Sequence, residues 1–249
     1  YGLAHPLPSF PLLPAAGFIL SAMLGPCLAQ TQPAPGASAQ DQSDLARRQQ
    51  EQLKRQESQR VLGVIPNFNT SFDPNAPPLT RVQKFHLAFH SAVDPFQFVA
   101  AAADAGLSQA QNGFKGYGQG GQGYAKRFGA SYLDNFDETM IGNGLLPVLL
   151  HQDPRYFRKG SGKFSERFVY ALVSSVRCRD DHGKWVPNYS NLLGSVASGG
   201  ISNLYYPATD RGLGLTLERA MTEVAEGAIG SVFVEFWPDI SRKLSRSHH

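Results

Sequence analysis

His86 and His90 stand four residues apart, and Asp94 follows at the same spacing. On a helix this interval puts all three on one face, from which two imidazoles and a carboxylate can ligate a metal ion such as zinc. Asp94 has a competing use. It precedes Pro95, and Asp-Pro suits a helix start, with aspartate as N-cap and proline in the first turn. The two histidines also flank an aromatic stripe, Phe85 and Phe89, where they can serve as amphipathic packing residues. His86 and His90 are therefore candidate metal ligands, with packing as the alternative.

A second cluster is His151, Asp153 and Arg155. A histidine beside a carboxylate can act as a general base, so the three are candidate catalytic residues. No Ser or Cys nucleophile is tied to them by a motif, and Gly-x-Ser-x-Gly does not occur. Asp153-Pro154 equally makes a turn, with Arg155 closing a local salt bridge. Whether the chain is an enzyme stays open on these residues, with the balance toward no. Cys178 lies between Arg177 and Arg179, whose charge would lower a thiol pKa; a half-buried helical cysteine is the alternative. The Gly/aromatic run over 113–123 lacks the Gly-Lys-Ser/Thr of a phosphate loop and no strand precedes it, so no cofactor is implied. It reads as a flexible or tightly turning linker over the helices, with glycan or lipid contact as the other reading.

The elements that must position these residues read as helices. Thr80-Arg81-Val82-Gln83 has capping-box spacing and starts one that carries Val82, Phe85, Phe89 and Val93 along a stripe. Pro95–Ala105 forms the next and stops at Gly106. A longer one runs from Tyr124 to about Gly142, with Phe128, Tyr132, Phe136 and Met140 at four-residue intervals, and Gly142, Gly144 and Pro147 kink or restart it. Ser165–Cys178 is predicted as a helix with Phe168, Leu172, Ser175 and Val176 facing inward. Arg179–Asn188 is a polar excursion, read as a small hairpin. Tyr189–Tyr206 is rich in small residues. Leu213–Phe236 shows the clearest periodicity: Leu217, Met221, Val224, Ala228 and Val232 make one stripe, Glu218, Arg219, Glu223 and Glu226 face away, and Trp237-Pro238 closes it. The fold class is mainly α, a single bundle of about five or six amphipathic or small-residue-rich helices with a Gly-rich loop between them.

Upstream, residues 1–40 contain no Lys, Arg, Asp or Glu. Phe18–Gly25 reads as the apolar core of a secretory signal, and Cys27-Leu28-Ala29 offers small residues for cleavage near Ala29. Pro26 before Cys27 does not suit a lipidation site. The domain plan is a signal peptide over 1–29, a disordered and polar helical linker over 30–60, the helical domain over 61–241 and a disordered tail over 242–249. Cleavage leaves Cys178 as the one cysteine, so the core rather than a disulfide holds the fold. The net charge of +3 is spread without a Lys/Arg block, which argues against nucleic acid as a partner. No apolar run of about 18–20 residues follows the signal, so no membrane-spanning helix is expected.

Several blocks resemble a group of secreted hypothetical proteins of Acidobacteria-like soil bacteria: Tyr124–Ala130, Leu150–Phe157, Asn188–Ser190, Tyr205–Pro207 and Glu235–Ile240. The resemblance covers residues 80–240. It implies a bacterial envelope protein, brings no activity and carries over no site residue. The expected function is a non-catalytic structural or interaction module at the periplasm or outer membrane, whose partner is an envelope protein or a membrane surface. The alternatives are an envelope lipid- or glycan-acting hydrolase centred on His151 and Asp153, or a carrier of a small apolar ligand. The oligomeric state is not readable.

Overall fold

The computed structural model describes residues 39–61 and 65–246. The signal peptide read over 1–29 lies outside them. The protein is mainly helical: α1 Ala39–Glu57, α2 Arg81–Ala92, α3 Pro95–Ala110, α4 Gly120–Glu138, α5 Leu146–Leu149, α6 Phe164–Val173, α7 Tyr189–Ser202 and α8 Leu213–Arg246. A π-helical segment, Thr139–Leu145, joins α4 to α5. Short strands tie the loops together. β1 Arg60–Val61 pairs with β2 Ile65–Pro66, β3 Thr70–Ser71 pairs in parallel with β5 Tyr156–Phe157, and β4 Gln152–Asp153, β6 Arg177–Asp180 and β7 Trp185–Pro187 form an antiparallel sheet.

Local chemistry sets the helix starts. Thr80 accepts from the Gln83 amide while the Gln83 side chain accepts from the Thr80 amide, a closed capping box. Asp94 accepts from the Phe96 amide and Pro95 occupies the first turn of α3. Where a kink is expected at Gly142 and Gly144 the chain forms the π segment, which continues α4 into α5 without a break. Gly142 and Gly194 make it possible for α7 to press on that segment: a β-carbon on Gly194 would lie 2.5 Å from the Gly142 α-carbon.

Several expectations are corrected. Residues 177–180 and 185–187 are strands, so the helix predicted over Ser165–Cys178 ends at Val173 and Cys178 sits on β6. The α3 helix runs through Gly106 to Ala110. The α8 helix passes through Pro238 to Arg246, well into the expected tail. The Arg158 and Arg167 side chains donate to the Glu235 carbonyl, three residues before the proline, at 2.9 and 2.8 Å. The α1 helix is docked, because Leu53 packs on the cluster of Phe68, Leu79 and Leu87.

Much of the apolar surface expected to face inward is exposed, although on α8 Val224, Ala228 and Val232 are half-buried and Glu218 and Glu226 face out as expected. In α6 the buried residues are Arg167 and Ala171, while Phe168 and Leu172 are exposed, as is Val176 beyond its end. In α8 the stripe begins with Leu217 and Met221 facing out, the latter 73 % exposed, while Arg219 reaches a buried carboxylate. In α7 the buried positions are Ser190, Gly194, Ser195, Ser198, Gly199 and Ser202, and Leu193 and Val196 point away. In α2, Lys84 is fully buried beside Leu87, Ala88 and Ala92, whereas Val82, Phe85 and Phe89 are exposed.

Candidate functional site

Among the described residues, two buried polar assemblies occupy space that apolar side chains fill in most small domains, and a third set of polar groups lines a cleft. The first is centred on Asp134 of α4. Tyr205 Oη and Ser202 Oγ donate to its Oδ1 at 2.7 and 2.5 Å, Tyr206 Oη donates to Oδ2 at 2.7 Å, and Arg219 reaches Oδ2 at 2.9 Å. Burial and the Asp134 charge raise both phenols well above the usual tyrosine range. Tyr206 also joins Tyr117, Ala130 and Leu215 in an apolar cluster. The Gly/aromatic run is pinned against it rather than loose. Tyr117 lies in the cluster, and buried Arg127 donates to the carbonyls of Gly113, Gly118 and Phe114.

The second assembly is centred on Glu235 of α8, which is fully buried. Tyr156 Oη donates to it at 2.7 Å, the amides of Lys159 and Gly160 at 3.0 and 2.9 Å, and Arg167 Nε at 2.7 Å. Burial alone would raise this carboxyl. The hydrogen bonds outweigh it and hold the group below the usual glutamate range. Asp239, one turn on, is held low in the same way by Arg167 and Arg242.

The third is a cleft of about 310 Å³ between α4, the π segment, α7, α8 and the β4–β5 turn. Its walls carry Glu138, Glu223, Glu226, Asn135, Asn143 and Asn191. Here the carboxyls lack cationic partners of the kind that serve Asp134 and Glu235. Burial raises Glu138 to about 7, with the Glu226 charge adding to it. Burial raises Glu223 to about 8, with the Glu138 charge second, although Ser198 Oγ donates to one oxygen at 3.0 Å. The other oxygen, Oε2, is buried without a hydrogen-bond partner. Groups that titrate near neutrality can exchange protons or bind hydrogen-bond donors in either state.

No family model, no curated protein and no solved structure matches this chain. The meaning of the site rests on its geometry.

The residues singled out by sequence lie elsewhere. Asp153 and Arg155 are buried and bound to each other, Nη2 to Oδ2 at 2.5 Å and Nε to Oδ1 at 2.8 Å, and Arg155 also donates to the Pro77 carbonyl. His151 is largely exposed in a left-handed conformation, φ 54°, with its Nδ1 3.8 Å from Asp181. Asp181 in turn binds the buried ammonium of Lys84 at 2.5 Å. His86 lies 2.9 Å from a Glu57 oxygen, and His90 packs its ring edge on Phe68 at 4.6 Å. Asp94 accepts from Arg60 at 2.7 Å besides capping α3. Among the described residues no group of three or more His, Cys, Asp or Glu side chains is placed to hold a metal ion.

Cys178 is buried, and burial raises its thiol to about 12, with Asp153 and Asp180 adding to it. Of the two readings of Cys178, the thiol lowered by Arg177 and Arg179 does not hold, and the buried cysteine does, on a strand rather than a helix. Strand alternation turns both guanidiniums away, onto the Trp185 ring at 4.9 and 5.0 Å.

Glu138, Glu223, Asp134 and Glu235 carry no motif. The signal in the sequence is their position: Asp134 and Glu138 are four apart, and Glu223 and Glu235 stand in a helix whose other side is apolar.

Proposed function

We propose that the chain is a non-catalytic bacterial cell-envelope module, exported to the periplasm or outer membrane, whose helices lie with their apolar faces against membrane lipid. The observation that carries this reading is the polarity of the bundle. Apolar residues on α2, α6, α7 and α8 face outward, with Val82, Leu213 and Met221 each more than 70 % exposed, as is Leu204 in the turn after α7. Lys84, Asp134, Arg167 and Glu235 face inward. Water would favour the reverse arrangement, and apolar surface on this scale marks an interaction site. In lipid the preference changes sign: small residues mediate helix contact and ionisable groups turn to the bundle interior. The glycine approaches of α7 fit that pattern, since a β-carbon on Gly199 would lie 2.5 Å from the Thr216 carbonyl oxygen. No described helix is long and apolar enough to cross a membrane, so the contact proposed is with the interfacial layer.

Flotation with phosphatidylethanolamine/phosphatidylglycerol vesicles tests it. The protein should rise with the vesicles and resist a high-salt wash, because the attraction is apolar. Recovery at the bottom of the gradient as a monodisperse protein would overturn the reading. Mass spectrometry of the mature N-terminus from native cells tests export, with Gln30 or a near neighbour expected first.

A further inference from the structure

The polar cleft has a neighbour. An apolar groove of about 640 Å³ runs along α6, floored by Val169 and Val173. Groove and cleft share a wall made of Tyr170, Ser174, Arg177 and Trp185. Both volumes lie in the range of small-molecule sites, about 300–1,000 Å³. We infer that cleft and groove together form one binding site for a single-chain amphiphile with an uncharged, hydroxyl-rich headgroup: the headgroup in the cleft, the alkyl chain along α6.

The headgroup class follows from what lines the cleft. Asn135, Asn143 and Asn191 bring amides, which both donate and accept, and Glu138 and Glu223 bring carboxyls that titrate near neutrality. A hydroxyl both donates and accepts, so vicinal hydroxyls can answer such groups in either protonation state. An ammonium only donates and leaves the amide donors unanswered. A phosphate only accepts, and Glu226, with Glu138 and Glu223 when ionised, would repel it. At the junction stand Tyr170 and Trp185, ring centroids 5.9 Å apart, and such rings suit the boundary between an apolar and a wet compartment. The α8 side of the cleft is open because it is glycine: a β-carbon at Gly227 or Gly230 meets nothing within 4 Å.

This inference rests on the membrane reading only for the source of the ligand. Calorimetric titration of the full chain with dodecyl maltoside, below its micellar concentration, tests it. We expect saturable binding of one molecule per chain, with maltose and dodecyl phosphate each at least tenfold weaker. Gly230→Leu fills the cleft from a helix that leucine favours, and should weaken dodecyl maltoside at least tenfold while the circular dichroism is unchanged. Val173→Gln should weaken it from the groove side, and Glu223→Gln from the headgroup side should Gly230→Leu fail to fold. Unsaturable uptake of many detergent molecules, equal binding of dodecyl phosphate, or indifference to all three variants would overturn the site. Vesicle flotation of the native chain and of Glu223→Gln separates the two ideas, because the outward stripes are untouched there: flotation without maltoside binding defeats the site alone, and maltoside binding without flotation defeats the membrane reading alone.

Discussion

Glu223 and Glu235 stand on one helix, about three turns apart, and their carboxyls are treated in opposite ways. Glu235 is met by a phenol, two backbone amides and a guanidinium, so the fold prefers it charged. Glu223 has one serine hydroxyl and a neighbour of like charge in Glu138, so the fold prefers it protonated. Burial acts on both. The difference lies in whether donors were brought to the site. Those at Glu235 come from the β5–α6 region and close the end of the bundle. Around Glu223 the chain offers glycine, asparagine and space. One end of α8 is fastened and the middle is kept open.

The fastened end should be the more fragile to mutation. Glu235→Ala leaves Arg167 without its buried partner and frees two amides, and should cost about 3–5 kcal/mol in urea unfolding. A loss under about 1 kcal/mol would mean that the clamp is ornamental. Asp134→Asn is the next largest. It keeps the shape and some hydrogen bonds but removes the charge facing Arg219, so we expect a loss of about 1.5–3 kcal/mol. Restoring neutrality with Arg219→Met in the same chain should recover part of it, which a double-mutant cycle measures.

Why these sites were hard to foresee is a matter of distance along the chain. Thr80, Asp94 and Pro95 announce helix starts because a cap is a contact over two or three residues. The small hairpin after Cys178 was legible from its polar turn. Asp134 meets Tyr205 and Tyr206, which lie 71 and 72 residues away, and no local pattern reports such a pairing. Periodicity reported a stripe through Leu217 and Met221 but not its direction. The inward assignment presumed water outside. Arg219 and Glu223 turn inward because their partners Asp134 and Ser198 are there. His151, Asp153 and Arg155 attracted notice as residue types, yet the Asp153–Arg155 pair is the local salt bridge that Asp-Pro-Arg also suggested.

The two carboxyl environments should also divide the pH axis. Glu138 and Glu223 bind protons more tightly in the fold than in the unfolded chain, whose glutamates titrate near their ordinary value of 4.5. Their favourable contribution is complete below that value and is lost as pH rises through about 7 and about 8. Glu235 and Asp239 do the reverse: they stabilise above the unfolded values and lose that contribution as acid protonates them in the fold. Thermal melts should therefore fall from about pH 5 to pH 8. Glu138→Gln with Glu223→Gln should flatten that slope and raise the melting temperature at pH 8 by a few degrees, on the order of 1 kcal/mol. A slope unchanged in the double variant would show that the cleft carboxyls are solvated like surface groups.

The smallest effect on stability is expected on the exposed apolar side of α8. Met221 and Ile229 lie on the outward side of α8, 73 % and 68 % exposed. Lysine at either position removes little contact and adds a good helix former, so the unfolding free energy in water should stay within about 0.5 kcal/mol. The same substitutions put charge into the face that the membrane reading assigns to lipid. Met221→Lys with Ile229→Lys should then reduce flotation on vesicles while melts and the pH slope are unchanged. The direction matters more than the size. If the charged face floats as well as the native one, the outward stripes do not make the lipid contact, and the polar interior needs an explanation that owes nothing to a membrane.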